Sequence, residues 1–237
     1  SLALKNLDLK VITYKGDSIS NFVRFIELFE GGPSDPKKPP FELKSRIFIN
    51  DSKVSIINQN HEGDEGKWLM ANNVNLIVPE LKVNGSNVFA QINNFRFITE
   101  RWGKKHNVDT FSGDLALTKE FLSLKDLTFN TDHSLLQGDI KFNLNNGSWA
   151  EFEDKVRWDL KMLQGSQISG YDISYFVTNW DNYKPINISG KMTGALNKFY
   201  LDDFLIRNPN VNIRTNTMKV SNILKGNFQI ESNTIST

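Results

Sequence analysis

Apolar and polar residues alternate along most of this chain, as they do in strands with one covered face. The run Gly138-Ile140-Phe142-Leu144 shows it directly. A longer pattern recurs on top of it: apolar, any, apolar, two polar, apolar, any, apolar. It occurs at Leu2/Leu4/Leu7/Leu9, Leu69/Ala71/Val74/Leu76 and Ala90/Ile92/Phe95/Phe97. It returns at Leu122/Leu124/Leu127/Phe129 and Phe199/Leu201/Phe204/Ile206, with a partial copy at Met218/Val220/Ile223.

The central polar pair carries the information. Strand side chains change face at every residue, so the apolar set switches parity across the pair. Both halves face one side only if the backbone bulges there. The second residue of the pair is Asn6, Asn73, Asn94, Asp126, Asp203 or Asn222, and Asn and Asp are the side chains that tolerate left-handed backbone. The predicted fold class is therefore mainly β. It is an antiparallel sheet bent into an elongated, taco-like groove, with one or two short helices. The expected groove lining is Leu2, Leu4, Leu7, Leu9, Leu69, Val74, Leu76, Ile92, Phe95, Phe97, Leu122, Leu124, Leu127, Phe129, Phe199, Leu201, Phe204 and Ile206.

Two segments leave the β pattern. Ser18 or Ser20 is placed to cap a helix over about 19–30, with Ile19, Phe22, Val23, Ile26 and Phe29 at helical spacing. Phe25 and Leu28 widen its apolar arc, so burial on more than one side is expected. A Gly/Pro-rich loop follows over 31–40. A second, short helix is expected over about 173–180. The copies are unevenly spaced, which excludes a fixed-period solenoid. Residues 1–237 read as a single β-groove segment, and strand-like sequence at both ends leads to the expectation of a longer parent protein.

Composition narrows the function classes. Lys and Arg total 28 against 27 Asp and Glu, a net charge of +1, so no strong field for nucleic acid exists. There is no cysteine, which excludes disulfides and thiolate chemistry, and Phe is frequent at 17. His61, His106 and His133 stand alone in turn-like sequence, without metal-ligand spacing, and are expected in exposed loops. No cofactor, metal or catalytic motif is expected, and the Asp and Glu residues fall on polar strand faces or in turns. Arg101-Trp102-Gly103-Lys104-Lys105-His106 is the one compact basic and aromatic cluster, expected as a solvated loop between strands. Four Asn-x-Ser sequons, at Asn50, Asn84, Asn146 and Asn187, are attributed to the abundance of Asn.

Residues Leu122 to Phe142, with Ser134 in a turn followed by Gly138-Asp139, resemble the strand–turn–strand unit of the TamB/AsmA-like envelope proteins. The stretch Tyr171-Asp-Ile-Ser-Tyr-Phe, followed by Ile188-Ser-Gly-Lys-Met-Thr-Gly-Ala-Leu, is similar to that family's short aromatic helix leading into Gly-punctuated strands. The resemblance implies a non-enzymatic lipid conduit in which an apolar β-groove shields phospholipid acyl chains. It further implies a place in the Gram-negative periplasm, an inner-membrane anchor outside these residues and outer-membrane biogenesis. The implied partner is an outer-membrane barrel of the TamA/assembly-factor family.

Alternation alone also fits a closed β-sandwich or barrel acting as a structural or adhesive surface domain. A β-rich polysaccharide hydrolase is a third reading, and it requires two converging carboxylates.

Overall fold

The computed structural model describes residues 1–27, 41–144, 154–176, 184–222, 229–232 and 235–236. Period-two alternation commits backbone to extended conformation, and fifteen strands form there, all in one sheet. Contacts divide the chain into two compact units, Ser1–Phe111 and Ser112–Thr237, where the sequence leads to the expectation of one segment.

The first unit holds β1 (Leu2–Lys5), β2 (Asp8–Thr13), β3 (Glu42–Asn58), β4 (Lys67–Asn84) and β5 (Asn87–Arg101). The division falls inside β6 (Lys104–Leu117). β3, β4 and β5 pair antiparallel in sequence order, whereas β1 and β2 both lie parallel to β3. The sheet is thus mixed, a correction to the purely antiparallel expectation. Its physical basis is the long connection from β2 to β3, which lets the chain return in the same direction.

The second unit holds β7 (Phe121–Thr131), β8 (Leu135–Asn143), β9 (Arg157–Met162), β10 (Gln167–Ser169), β11 (Pro185–Ala195), β12 (Lys198–Asn208) and β13 (Val211–Ser221). β14 (Gln229–Ser232) and β15 (Ile235–Ser236) both pair with β13. β9 and β10 both lie between β8 and β11, as halves of one interrupted strand.

Helix α1 spans Asn21–Glu27, inside the expected 19–30. Of the two candidate caps it uses Ser20, whose Oγ accepts from Val23 N at 3.3 Å. The expected burial does not occur: Phe22, Val23 and Phe25 are exposed. Polar ties fix this helix beside β2, including an Arg24–Asp17 ion pair at 2.9 Å, so its apolar arc is not needed to hold it. Residues 28–30 and the loop 31–40 lie outside the described residues. Helix α2 is Gly170–Ile173, starting earlier than expected because Ser169 Oγ caps it by accepting from Tyr171 N at 3.1 Å. Residues 177–180 also lie outside the described residues.

Asp172 docks α2 onto the β7–β8 turn. Its Oδ2 accepts from Thr131 Oγ1 at 2.6 Å and from Ser134 Oγ at 2.5 Å, while Ser134 Oγ accepts from Ser169 N at 2.9 Å. Asp172→Ala strands two hydroxyls in a partly buried network and is expected to cost about 2 kcal/mol. Urea denaturation of the variant checks this, and an unchanged midpoint would show the network to be energetically idle.

Candidate functional site

Five of the six Asn and Asp positions have left-handed backbone: Asn6 (φ 56°), Asn73 (52°), Asp126 (51°), Asp203 (46°) and Asn222 (60°). The sixth, Asn94, does not. It pairs with Ile77 in unbroken register, on the opposite side of the sheet from Leu76 and Phe95. Asp51 (φ 49°) takes the left-handed role in β3 instead. Asn222 follows the end of β13 rather than kinking it, and Ile223 lies outside the described residues.

These residues line up from strand to strand. In the first unit Asn6 N donates to Asn50 O at 3.1 Å, and the β3–β4 register shifts around Ser52 and Val74. Asn6, Asp51 and Asn73 therefore form one crease across three neighbouring strand positions. Ser52 seals it, accepting from Leu7 N at 3.0 Å and donating to Asn50 O at 2.9 Å. In the second unit the β7–β8 register shifts between Leu124 and Leu127, around Asp126, and Asp126 N donates to Asp139 Oδ1 at 2.9 Å. The β11–β12 register shifts between Ser189 and Lys191, where Gly190 faces Asp203. The break between β9 and β10 falls on the same line, since Met162 pairs with both Gly138 and Gly190. Asn73→Val forces a β-branched residue into left-handed backbone and is expected to cost about 1–2 kcal/mol, whereas Asn73→Gly should be nearly neutral. Thermal melts of the two variants test this, and equal melting temperatures would remove the conformational argument.

The crease keeps the apolar halves on one face. Phe199, Leu201, Met218 and Val220 form a buried cluster, and Phe204, from beyond Asp203, packs against it. Cross-strand register extends the face in rows. One runs Leu122–Phe142–Trp158–Gly194–Phe199–Val220–Ile230 and the next Leu124–Ile140–Leu160–Met192–Leu201–Met218–Ser232. The row between them points the other way and is polar: Ser123–Lys141–Asp159–Thr193–Tyr200–Lys219–Glu231. Below the crease, Phe129 pairs with Leu136, and Ile206 joins Ile188 and Ile213. Leu127 sits on the crease opposite Gly138 and is buried.

The first unit repeats this arrangement. Leu4–Ile49–Leu76–Phe95 form one row, Leu2–Ile47–Val78 a second and Leu9–Val54–Ala71–Thr99 a third, across the crease. Leu69 pairs with Ile56, Val74 lies buried at the crease, and Phe97 meets Phe95 with ring centroids 4.8 Å apart. Ala90 and Ile92 are half-buried between exposed Phe89, Gln91 and Asn93, so the covered positions of β5 change parity at Asn94 although its backbone is not left-handed. Unflagged by the kinked pattern were Ile47, Ile49, Val54, Trp158 and Leu160, which plain alternation would have found.

The polar face is held by exposed ion pairs. Glu231 accepts from Lys219 Nζ at 2.8 Å, which raises the lysine pKa, and Lys82 lowers that of Glu80 by the same kind of bond. The basic cluster is not a solvated loop. Trp102-Gly103 makes a tight turn with both φ positive, and Arg101 is buried between the Trp68 and Trp102 rings, 5.3 and 5.0 Å from their centroids. Arg101 also donates to Asp64 O at 3.3 Å and Glu65 O at 3.4 Å. His106 is likewise buried, on β6, while His61 and His133 are exposed. Among the described residues no three His, Asp or Glu side chains converge as a metal group, and no helix is long and apolar enough to cross a membrane. Comparisons with protein-family models, curated proteins and solved structures returned no match to the chain.

Proposed function

We propose that the creased sheet is a non-enzymatic lipid conduit segment whose apolar face shields phospholipid acyl chains. The observation that carries this reading is the continuity of the apolar rows. Each runs across six or seven strand positions of the second unit, and the described strands all belong to one sheet, without a second sheet to cover them. Within the rows Phe199, Leu201, Met218 and Val220 are buried, while Leu2, Leu9 and Ile230 at their ends are exposed. Acyl chains satisfy such a face without oriented polar groups. Each buried methylene contributes about 0.8 kcal/mol, so roughly a dozen approach 10 kcal/mol.

The bend at the crease serves this purpose by turning a flat apolar face towards a concave groove around a tail. In keeping with the resemblance to TamB/AsmA-like proteins, the proposed setting is the periplasm between two membranes, with an outer-membrane barrel of the TamA/assembly-factor family as partner and the anchor in a longer parent chain. The chain exported to the periplasm of a Gram-negative bacterium, purified without detergent and examined by native mass spectrometry, is expected to carry phospholipid. A lipid-free, monodisperse protein would overturn the proposal.

A further inference from the structure

We infer that a cleft on the polar face of the second unit binds a water-soluble phosphate ester, with Arg157 and Lys198 as its two walls. Asn143 pairs with Arg157, and Ala195 with Lys198, each one residue beyond the row through Phe142, Trp158, Gly194 and Phe199. These four residues stand at strand ends and form the last row of β8, β9, β11 and β12. The row lies two residues on from Lys141, Asp159, Thr193 and Tyr200, so it shares their polar face. The apolar rows lie on the other side of the sheet, and the site is therefore independent of the proposed lipid guest.

The end of this row is hollow. Ala195 lies between Arg157 and Lys198, whose Cα atoms stand roughly 10 Å apart at the usual strand spacing. Ala195 and its neighbour Gly194 fill little of that gap, and the cleft over them measures about 560 Å³. Tyr200 and Asn143 bring a hydroxyl and an amide to the same space. Lys155 lines it too, so three cations surround it with one carboxylate, Asp154. That carboxylate is tied to a neutral group, its Oδ1 accepting from Asn197 Nδ2 at 3.0 Å.

Charge and shape select phosphate. Among the described residues neither Arg157 nor Lys198 forms an ion pair, whereas Lys219, on the same face, is held by Glu231 at 2.8 Å. A cleft in the first unit also gathers Lys44, Arg46 and Lys82, but there Lys82 is already paired with Glu80 at 2.6 Å. Three cations against one carboxylate leave an excess of two positive charges, which a phosphate dianion balances and a single carboxylate does not. The guanidinium offers two parallel donors to phosphate oxygens, and an ammonium on the facing wall meets a third. The cleft is larger than a bare phosphate, which leaves room beside Tyr200 for the organic part of an ester.

The test is a titration of the isotope-labelled chain with glycerol 3-phosphate near neutral pH and at low salt, read from backbone amide shifts. Saturable shifts centred on residues 157 and 194–200 are expected, with a dissociation constant on the order of 1 mM. Arg157→Gln and Lys198→Gln each remove a charge-assisted contact and should weaken binding about tenfold. Lys191→Gln, elsewhere on the polar face, should leave it unchanged. All three side chains are exposed, and circular dichroism confirms that the variants are folded. Shifts that do not saturate, equal shifts with sodium acetate at matched ionic strength, or undiminished binding in Lys198→Gln would each overturn the inference. So would co-sedimentation with phosphatidylglycerol vesicles that Lys198→Gln abolishes, because the cleft would then serve a membrane surface.

Discussion

Replacing Gly138 by Ala is expected to unfold the Ser112–Thr237 unit under conditions in which the parent chain is folded. A Cβ built on Gly138 would lie 1.8 Å from Lys161 O, 2.9 Å from Lys161 C and 3.2 Å from Met162 Cα. All three are backbone atoms of the adjacent β9, so no side-chain rotation relieves the clash. The residue also has φ +153°, which L side chains rarely adopt. Steric overlap and backbone strain together place the loss above about 4 kcal/mol, the range reserved for a few named mechanisms. Gly165→Ala is the control: φ is +92° there, but a Cβ meets nothing within 4 Å, so only about 1 kcal/mol of conformational cost is expected. Urea titrations followed by intrinsic tryptophan fluorescence separate the two. Equal midpoints for Gly138→Ala and the parent would mean that the strands do not approach this closely at the crease.

Gly138 belongs to a set that explains the crease physically. A bulge pushes backbone towards the neighbouring strand, and the neighbour must give way. At Asp203 it does so through Gly190, where a Cβ would lie 2.6 Å from Asp203 O, and at Asp126 through Gly113, where one would lie 2.9 Å from Lys125 O. In the second unit a left-handed Asp on one strand and a Gly on the next are two halves of one device.

Half of that device was legible in the sequence. Asn and Asp mark the kink because the parity of the apolar residues changes across them, a signal that any single strand carries. The glycines went unread because their role depends on which strand lies alongside, and pairing is not written in one strand. Asp51 escaped for a related reason. Its strand has the same pattern, Ile47/Ile49/Ser52/Val54, but Ser52 stands where an apolar residue was required, serving the crease by hydrogen bonds instead. Asn94 misled in the opposite sense, since an Asn at a phase change permits left-handed backbone without compelling it. The parallel course of β1 and β2 had no local signal, because residue alternation is the same whichever way the neighbour runs. Arg101 and His106 were misplaced because a basic, aromatic hexapeptide reads as surface, whereas two indole rings and two carbonyls can cover a guanidinium.

Leu124→Glu is expected to lower the phospholipid carried by the purified chain at least about tenfold, while Tyr200→Glu leaves it unchanged. The two positions lie on opposite faces of the same unit. Leu124 opens the row through Ile140, Leu160, Met192, Leu201 and Met218, and Tyr200 stands in the intervening polar row, between Thr193 and Lys219. A carboxylate in the first row removes about 1.5–3 kcal/mol of apolar contact and must stay hydrated, which displaces acyl chains from its neighbours as well. On the polar row the same charge meets water, so the contrast isolates the face from the chemistry of the substitution. Bound lipid per chain, from native mass spectrometry and extraction, is the readout, with circular dichroism reporting the fold. If Leu124→Glu keeps its lipid, acyl chains do not ride on these rows. If it unfolds, Leu124 is part of an internal core and Leu124→Ser takes its place: a folded, lipid-loaded serine variant would move the reading towards a closed β-domain. Only an apolar face that is open to its guest lets one charge expel lipid and leave the sheet standing.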